Sequence, residues 1–315
     1  MTETLTFRVV GGGAAEVVKS LNARVISSSA NPLELDVYEV KSSLHDPVVK
    51  ALFKQNSENK HGNWVIGGWK IDRTYDKDEL DKCEYLHWKF EKHYYNQINL
   101  NINYFEFHRD CTCKVPVRQI FPIVANKPLR SNSALVRTSI GAILVRTNLA
   151  AEVCGDSTIT FTPVFESLEQ MHRWKMKGAS NTDMLQSFAV DPDDLDQFHW
   201  VQMHPQIFRH LSIVTPTDGR KTPHVDPSAD LLCNCHQVYG PGLISELYLQ
   251  SAGRLSGDWL YPEQFVGSSS GIYFPYRPLV VSQKAGKLMQ EYSRKMLTFE
   301  PVHLVQTDQP TVAGK

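Results

Sequence analysis

Long apolar runs, cysteines and an excess of either charge are all scarce in this sequence, and each shortage excludes a class of protein. Nowhere do eighteen apolar residues run together, so neither a membrane-spanning helix nor a membrane partner is expected. Six cysteines in 315 residues are too few for a disulfide scaffold. With 33 basic and 34 acidic residues the net charge is −1, which offers no electrostatic footprint for nucleic acid. The opening Met1–Arg8 has neither the basic start nor the apolar core of a secretory signal. A cytoplasmic location with reduced thiols is therefore expected. Catalytic signatures are missing as well: there is no G-x-S-x-G elbow, no P-loop lysine and no H-E-x-x-H helix, so no enzymatic activity is expected. Gly11-Gly12-Gly13 follows a β-prone run, yet Glu16 stands where a dinucleotide fingerprint needs its last glycine. A flexible turn is the better reading there.

What the chain does carry is one phrase written twice. Cys111-Thr112-Cys113 leads to Ile143-Leu144-Val145-Arg146-Thr147 and then to Phe161-Thr162-Pro163-Val164. Cys233-Asn234-Cys235 leads to Pro278-Leu279-Val280-Val281-Ser282-Gln283 and then to Phe299-Glu300-Pro301-Val302. Each reads as strand, helix, strand. Helical and extended texts alternate without a regular βαβ rhythm, so the expected class is α+β. The chain is expected to comprise two related mixed halves from a degenerate duplication, 1–177 and 178–315, each holding one Cys-x-Cys.

Local signals place several elements. Leu5–Val10, Leu35–Val40 and Trp64–Ile71 read as strands, the last with a bulge at Gly67-Gly68. Asp46-Pro47 opens a helix running through Gln55, with Asp as cap and Pro at the first helical position. Asp76 and Glu79 form a capping box, and the helix it starts is expected to carry Leu80, Cys83, Leu86 and Phe90 on one face. Gln97–Tyr104 is the clearest strand, since Ile98, Leu100, Ile102 and Tyr104 alternate with polar residues. Asp191-Pro192-Asp193-Asp194 starts a helix whose acids complement its dipole. His204-Pro205 and His210 flank a short apolar helix as surface or capping residues.

The stretch Tyr75–Leu86, with the cysteine pair and LVRT phrase after it, resembles the opening of bacterial immunity-like proteins associated with polymorphic toxins. The closing text from Arg277 to Lys284, and then Phe299-Glu300-Pro301-Val302, is similar to their end, where a VSERL helix precedes an FxPV strand. The two-halved arrangement resembles the myxobacterial paired-CXXCG immunity family. The likeness covers roughly residues 73–164 and 230–305. It implies a protein that binds and neutralises a cognate protein toxin by occluding the toxin's active surface.

Candidate sites follow. Cys111, Cys113, Cys233 and Cys235 are the metal candidates, a single structural zinc joining the halves, with His108 and His236 as spare ligands. The family writes C-x-x-C-G, whereas this chain writes C-x-C followed by Lys114 and His236. One intervening residue sends extended side chains to opposite faces, so a zinc site would need a tight turn. Buried apolar cysteines with no cofactor are the competing reading. A metal-dependent or nucleotide-processing enzyme would instead place its site near His224, Asp226, Cys233 and Cys235. For partner binding, Tyr261, Phe265, Tyr273, Phe274, Tyr276 and Arg277 cluster around a Gly/Ser loop, in the composition of interface hot spots.

Overall fold

In the computed structural model the residues described are 1–21, 23–27, 35–43, 45–58, 63–89, 98–99, 102, 104–107, 116–126, 134–138, 140–156, 158–175, 189–208, 211–213, 238–239, 246–251, 253–266, 276–293 and 296–305. They form an α+β fold, as expected, and divide into two compact units. Unit 1 holds Met1–Glu79, and unit 2 holds the described residues from Leu80 onward.

Unit 1 contains β1 (Thr2–Gly11), α1 (Ala14–Val17), β2 (Ala23–Ser27), β3 (Val37–Ser42), α2 (Pro47–Glu58) and β4 (Trp64–Thr74). The strands form one antiparallel sheet in the order β2-β3-β1-β4. Leu5, Phe7 and Val9 alternate along β1 and are buried, as a half-covered strand requires. Helix α2 supplies Val49, Leu52 and Phe53 to this core, with the Phe53 ring set edge-on to Phe7 at 5.2 Å. Asp46 caps α2 by accepting from the Val48 amide at 2.9 Å. The expected bulge is present: Arg8 faces Gly68 and Val9 faces Ile66, leaving Gly67 as the extra residue. Gly11 has φ 142°, and a Cβ there would lie 2.2 Å from the Asn63 carbonyl oxygen. This glycine closes a strand against backbone. The segment then continues into α3 (Lys77–Asp81), where Glu79 accepts from the Asp76 amide at 2.8 Å, the reciprocal arm of the expected capping box.

Unit 2 is built on a ten-stranded sheet. Its elements are β5 (Tyr85–Lys89), β6 (Phe105–Phe107), β7 (Pro116–Gln119), β8 (Leu135–Arg137), β9 (Ile143–Arg146), α4 (Thr147–Val153), β10 (Ile159–Pro163), α5 (Leu168–Lys175), β11 (Trp200–Ile207), β12 (Leu211–Ile213), β13 (Val238–Tyr239), β14 (Leu247–Ser251), β15 (Trp259–Tyr261), β16 (Phe265–Val266), β17 (Val280–Ser282), α6 (Gln283–Tyr292) and β18 (Thr298–Val305). The order is β12-β14-β18-β5-β17-β15-β11-β9-β8, with β10 also on β11, and β6–β7 and β13–β16 pair apart from it. The described parts of the twice-written phrase, which exclude both cysteine pairs, share one arrangement. In β9-α4-β10 both strands flank β11 and run antiparallel to it. In β17-α6-β18 both strands flank β5, again antiparallel. Each is a strand–helix–strand unit split by a foreign strand.

Helices α4 and α6 contribute Leu149, Ala150, Val153, Ala285 and Met289 to the largest core, which also buries Trp259 and Leu86. Gly286 lets α6 sit close to the sheet, since a Cβ there would lie 3.1 Å from Leu86 Cδ1. Ser282 caps α6, its hydroxyl accepting from the Ala285 amide at 3.2 Å.

Three expectations are corrected. The helix begun at Asp76 ends at Asp81, and Tyr85–Lys89 is strand β5, whose Tyr85, Leu86, His87 and Trp88 are all buried. Hydrogen bonding to β17 on one side and β18 on the other outweighs the local helical spacing. Over 97–104 no strand is formed among the described residues: Ile98 makes a single bridge to Ala125, and Tyr104 is buried beside it. His204-Pro205 lies within strand β11, not beside a helix. His210 and Phe90 lie outside the described residues.

Candidate functional site

The sequence-stated zinc ligands Cys111, Cys113, Cys233 and Cys235, with His108 and His236, lie outside the described residues, as do His224 and Asp226. Tyr273 and Phe274 do too. The other four members of the aromatic group, Tyr261, Phe265, Tyr276 and Arg277, all line one open cavity of about 280 Å³ in unit 2.

Each wall has a structural reason. Tyr261 ends β15, which pairs in parallel with the end of β11, so Ile207 stands opposite it. Phe265 begins β16, and Val266 bridges Tyr276 with reciprocal backbone bonds of 2.7 and 2.9 Å. That bridge brings Tyr276 and Arg277 beside Phe265. The Arg277 guanidinium carbon then lies 3.8 Å from the Phe265 ring centroid, and its Nε donates to the Glu263 carbonyl at 3.2 Å. Arg137, at the end of β8 and buried, stacks over the Tyr276 ring, 3.0 Å from the centroid.

Further walls come from Phe105 of β6, residues 140–143 leading into β9, and strands β7 and β11. Gln119 and Gln202 exchange side-chain amide bonds of 2.8 and 2.6 Å, and Gln119 also donates to the Phe121 carbonyl at 2.8 Å. His204 lies 2.9 Å from the Thr162 hydroxyl through Nε2. These pairs satisfy buried polar groups and hold the cavity wall in one arrangement.

Burial sets the electrostatics. It pulls Arg137 down to about 10, opposed by Tyr276 and Tyr261, and pulls Arg277 down to about 10, opposed by Tyr261 and Glu263. It pushes the Tyr261 hydroxyl up, against the two arginines. It pushes His204 down to about 4, so that ring is neutral at pH 7. The cavity thus offers aromatic faces, amides and cationic charge. Among the described residues no carboxylate lines it.

A larger cavity of about 920 Å³ lies elsewhere in unit 2, lined by Glu84, Glu152, Asp156, Arg254, Asp258 and Lys284 among others. Three of its polar groups bond one another. The Ser282 hydroxyl donates to Asp258 at 2.6 Å while capping α6, and Lys284 Nζ donates to the same carboxylate at 2.9 Å. The lysine and serine hold Asp258 below the usual carboxylate range against the opposing pull of burial. Ser282 thus serves as a helix cap and Lys284 is paired with Asp258. No group of three or more His, Cys, Asp or Glu is placed to hold a metal ion among the described residues.

Arg137, His204, Gln119 and Gln202 were not singled out as site residues from the sequence. One signal was available for Arg137: it is the lone charge in Ala134-Leu135-Val136-Arg137-Thr138, where an apolar strand must find the guanidinium a partner. Comparison with family models, with curated proteins and with solved structures finds no match to this chain.

Proposed function

We propose that this chain is an immunity-type binding protein that neutralises a cognate bacterial protein toxin in the cytosol by covering its active surface. Unit 2 makes the contact through the cleft lined by Tyr261, Phe265, Tyr276 and Arg277. One observation carries the reading: aromatic and arginine side chains from separate segments converge on one open cavity. Tyrosine and arginine are the residue types that dominate interface hot spots. Rings stacked on guanidinium groups arrive already ordered, which lowers the entropy lost on binding. A net charge of −1 makes the association weakly steered, so its rate changes little with salt.

The test is co-expression with the product of the neighbouring gene, where this reading expects the toxin to be encoded. Wild type is expected to restore growth and to co-purify with the toxin. Tyr276→Ala combined with Arg277→Ala is expected to weaken the complex about a hundredfold, two hot-spot losses. Wild type that neither rescues nor co-purifies sinks the immunity reading. A double variant that binds like wild type sinks the assignment of the cleft.

A further inference from the structure

The cleft's charge and size together select one kind of occupant. Among the described residues its lining includes Arg277 and no Asp or Glu, and Arg137 stacks against the Tyr276 ring that forms part of the wall. His204 is neutral at pH 7 and adds no charge of its own. Gln119 and Gln202 bond each other and do not compete for a guest.

Arg277 is held for a purpose that its own contacts leave open. Its Nε is committed to the Glu263 carbonyl and its plane is stacked on Phe265. Both terminal nitrogens bond none of the described residues, and no ion pair involves this arginine among them. A planar fork fixed at one edge and along one face presents two parallel donors to a single oxyanion, the geometry of bidentate carboxylate recognition.

The volume then sets the scale. At about 280 Å³ the cavity falls just below the range of small-molecule and cofactor sites, roughly 300–1,000 Å³. A single side chain fits it. Resting on the toxin-binding reading above, we propose that this cleft is an acidic-side-chain pocket. A glutamate or aspartate of the protein partner enters beside Phe265 and Tyr276, and its carboxylate takes both terminal nitrogens of Arg277.

The test uses the full chain and a defined probe. Arginine Nε–Hε resonances of the ¹⁵N-labelled protein are followed while N-acetyl-glutamate N-methylamide is added into the millimolar range. Parallel titrations use N-acetyl-glutamine N-methylamide and inorganic phosphate. The glutamate probe is expected to shift the Arg277 resonance saturably, with the glutamine probe and phosphate each at least about tenfold weaker. Binding to the variants is read from the backbone amide resonances of Tyr261, Phe265 and Tyr276, and Arg277→Gln is expected to abolish it. Arg277→Lys, which keeps the charge without the fork, is expected to bind at an intermediate strength. The proposal is overturned if the glutamine probe binds as well as the glutamate probe, if phosphate binds more tightly, or if Arg277→Gln binds undiminished. The wild-type comparison of the two probes needs no variant, so a substitution that unfolds the chain leaves the proposal testable. The titration also contains no toxin. It can fail while growth rescue holds, which removes only the pocket's chemistry, or succeed where rescue fails, which removes only the immunity reading.

Discussion

Acidification should destabilise unit 2 through His204 by an amount the structure fixes. This ring, in strand β11, is held 2.9 Å from the Thr162 hydroxyl of β10, and burial lowers it from the ordinary 6.5 to about 4. The folded state therefore resists the proton that the unfolded chain accepts freely. Stability from this residue is complete above pH 6.5 and is lost as pH falls toward 4; below that both states are protonated and the loss is constant. Two and a half units at ~1.4 kcal/mol each amount to about 3 kcal/mol in full, of which about 2 kcal/mol is gone by pH 5. Carboxylates elsewhere also titrate in this window, so the informative quantity is a difference between two proteins. Urea unfolding of wild type and His204→Gln should be followed by tryptophan fluorescence at pH 7.5 and pH 5. Wild type is expected to lose about 2 kcal/mol more than the variant over that interval, a midpoint difference on the order of 1 M. Parallel loss in the two proteins refutes the reasoning. So does a His204 ring that titrates near 6.5 by NMR.

Other substitutions probe the frame that holds the cleft. Glu300 is 2% exposed and accepts from Lys89 Nζ at 2.7 Å, with His87 Nδ1 3.8 Å away. Glu300→Ala removes a charge-assisted bond to Lys89, whose side chain is 30% exposed, and is expected to lower unfolding free energy by about 2 kcal/mol in urea titrations. Gly286→Leu drives a side chain into Leu86 and should lower it by about 1–3 kcal/mol, whereas Gly286→Ala, opposed by improved helix propensity, should stay within about 1 kcal/mol of wild type. Ser282→Ala removes both the α6 cap and the bond to Asp258, with a loss of about 1–2 kcal/mol in thermal or urea unfolding. It should leave partner binding unchanged, because Ser282 lines the other cavity.

The sequence was legible where local chemistry and tertiary structure agree. Asp46, Asp76, Asp191 and Ser282 each mark the start of a helical element, and a side chain at each of these starts takes an amide bond as its capping signal requires. The alternation of Leu5, Phe7 and Val9, and the bulge at Gly67, were equally plain. Reading failed where a long-range partner decides the matter. Leu80, Cys83 and Leu86 are spaced for a helix, but Leu86 faces Val281 and Pro301 across two ladders that no local window contains. The site divided on the same line. Tyr276 and Arg277 adjoin in sequence, and together with Tyr261 and Phe265 they stood out by composition. Arg137 and His204 reach the same region only because β8 and β11 belong to one sheet, so strand texts alone could not announce them.

The split strand–helix–strand unit at the C-terminal end has a consequence for how the chain comes to be folded. Strand β5 must receive β17 and β18 on its two edges, and the Lys89–Glu300 bond closes a loop of 211 positions. On a ribosome β5 emerges long before either neighbour exists. Its backbone donors and acceptors wait on both sides, flanked by Tyr85, Leu86 and Trp88, which are apolar and later buried. Pairing of this range makes for slow, late consolidation. A chain stopped short of β17 would leave the middle of the sheet as a bare template for strangers. The last quarter of the sequence is thus the latch on a strand made early, and truncated forms should collect in aggregates while the complete chain does not.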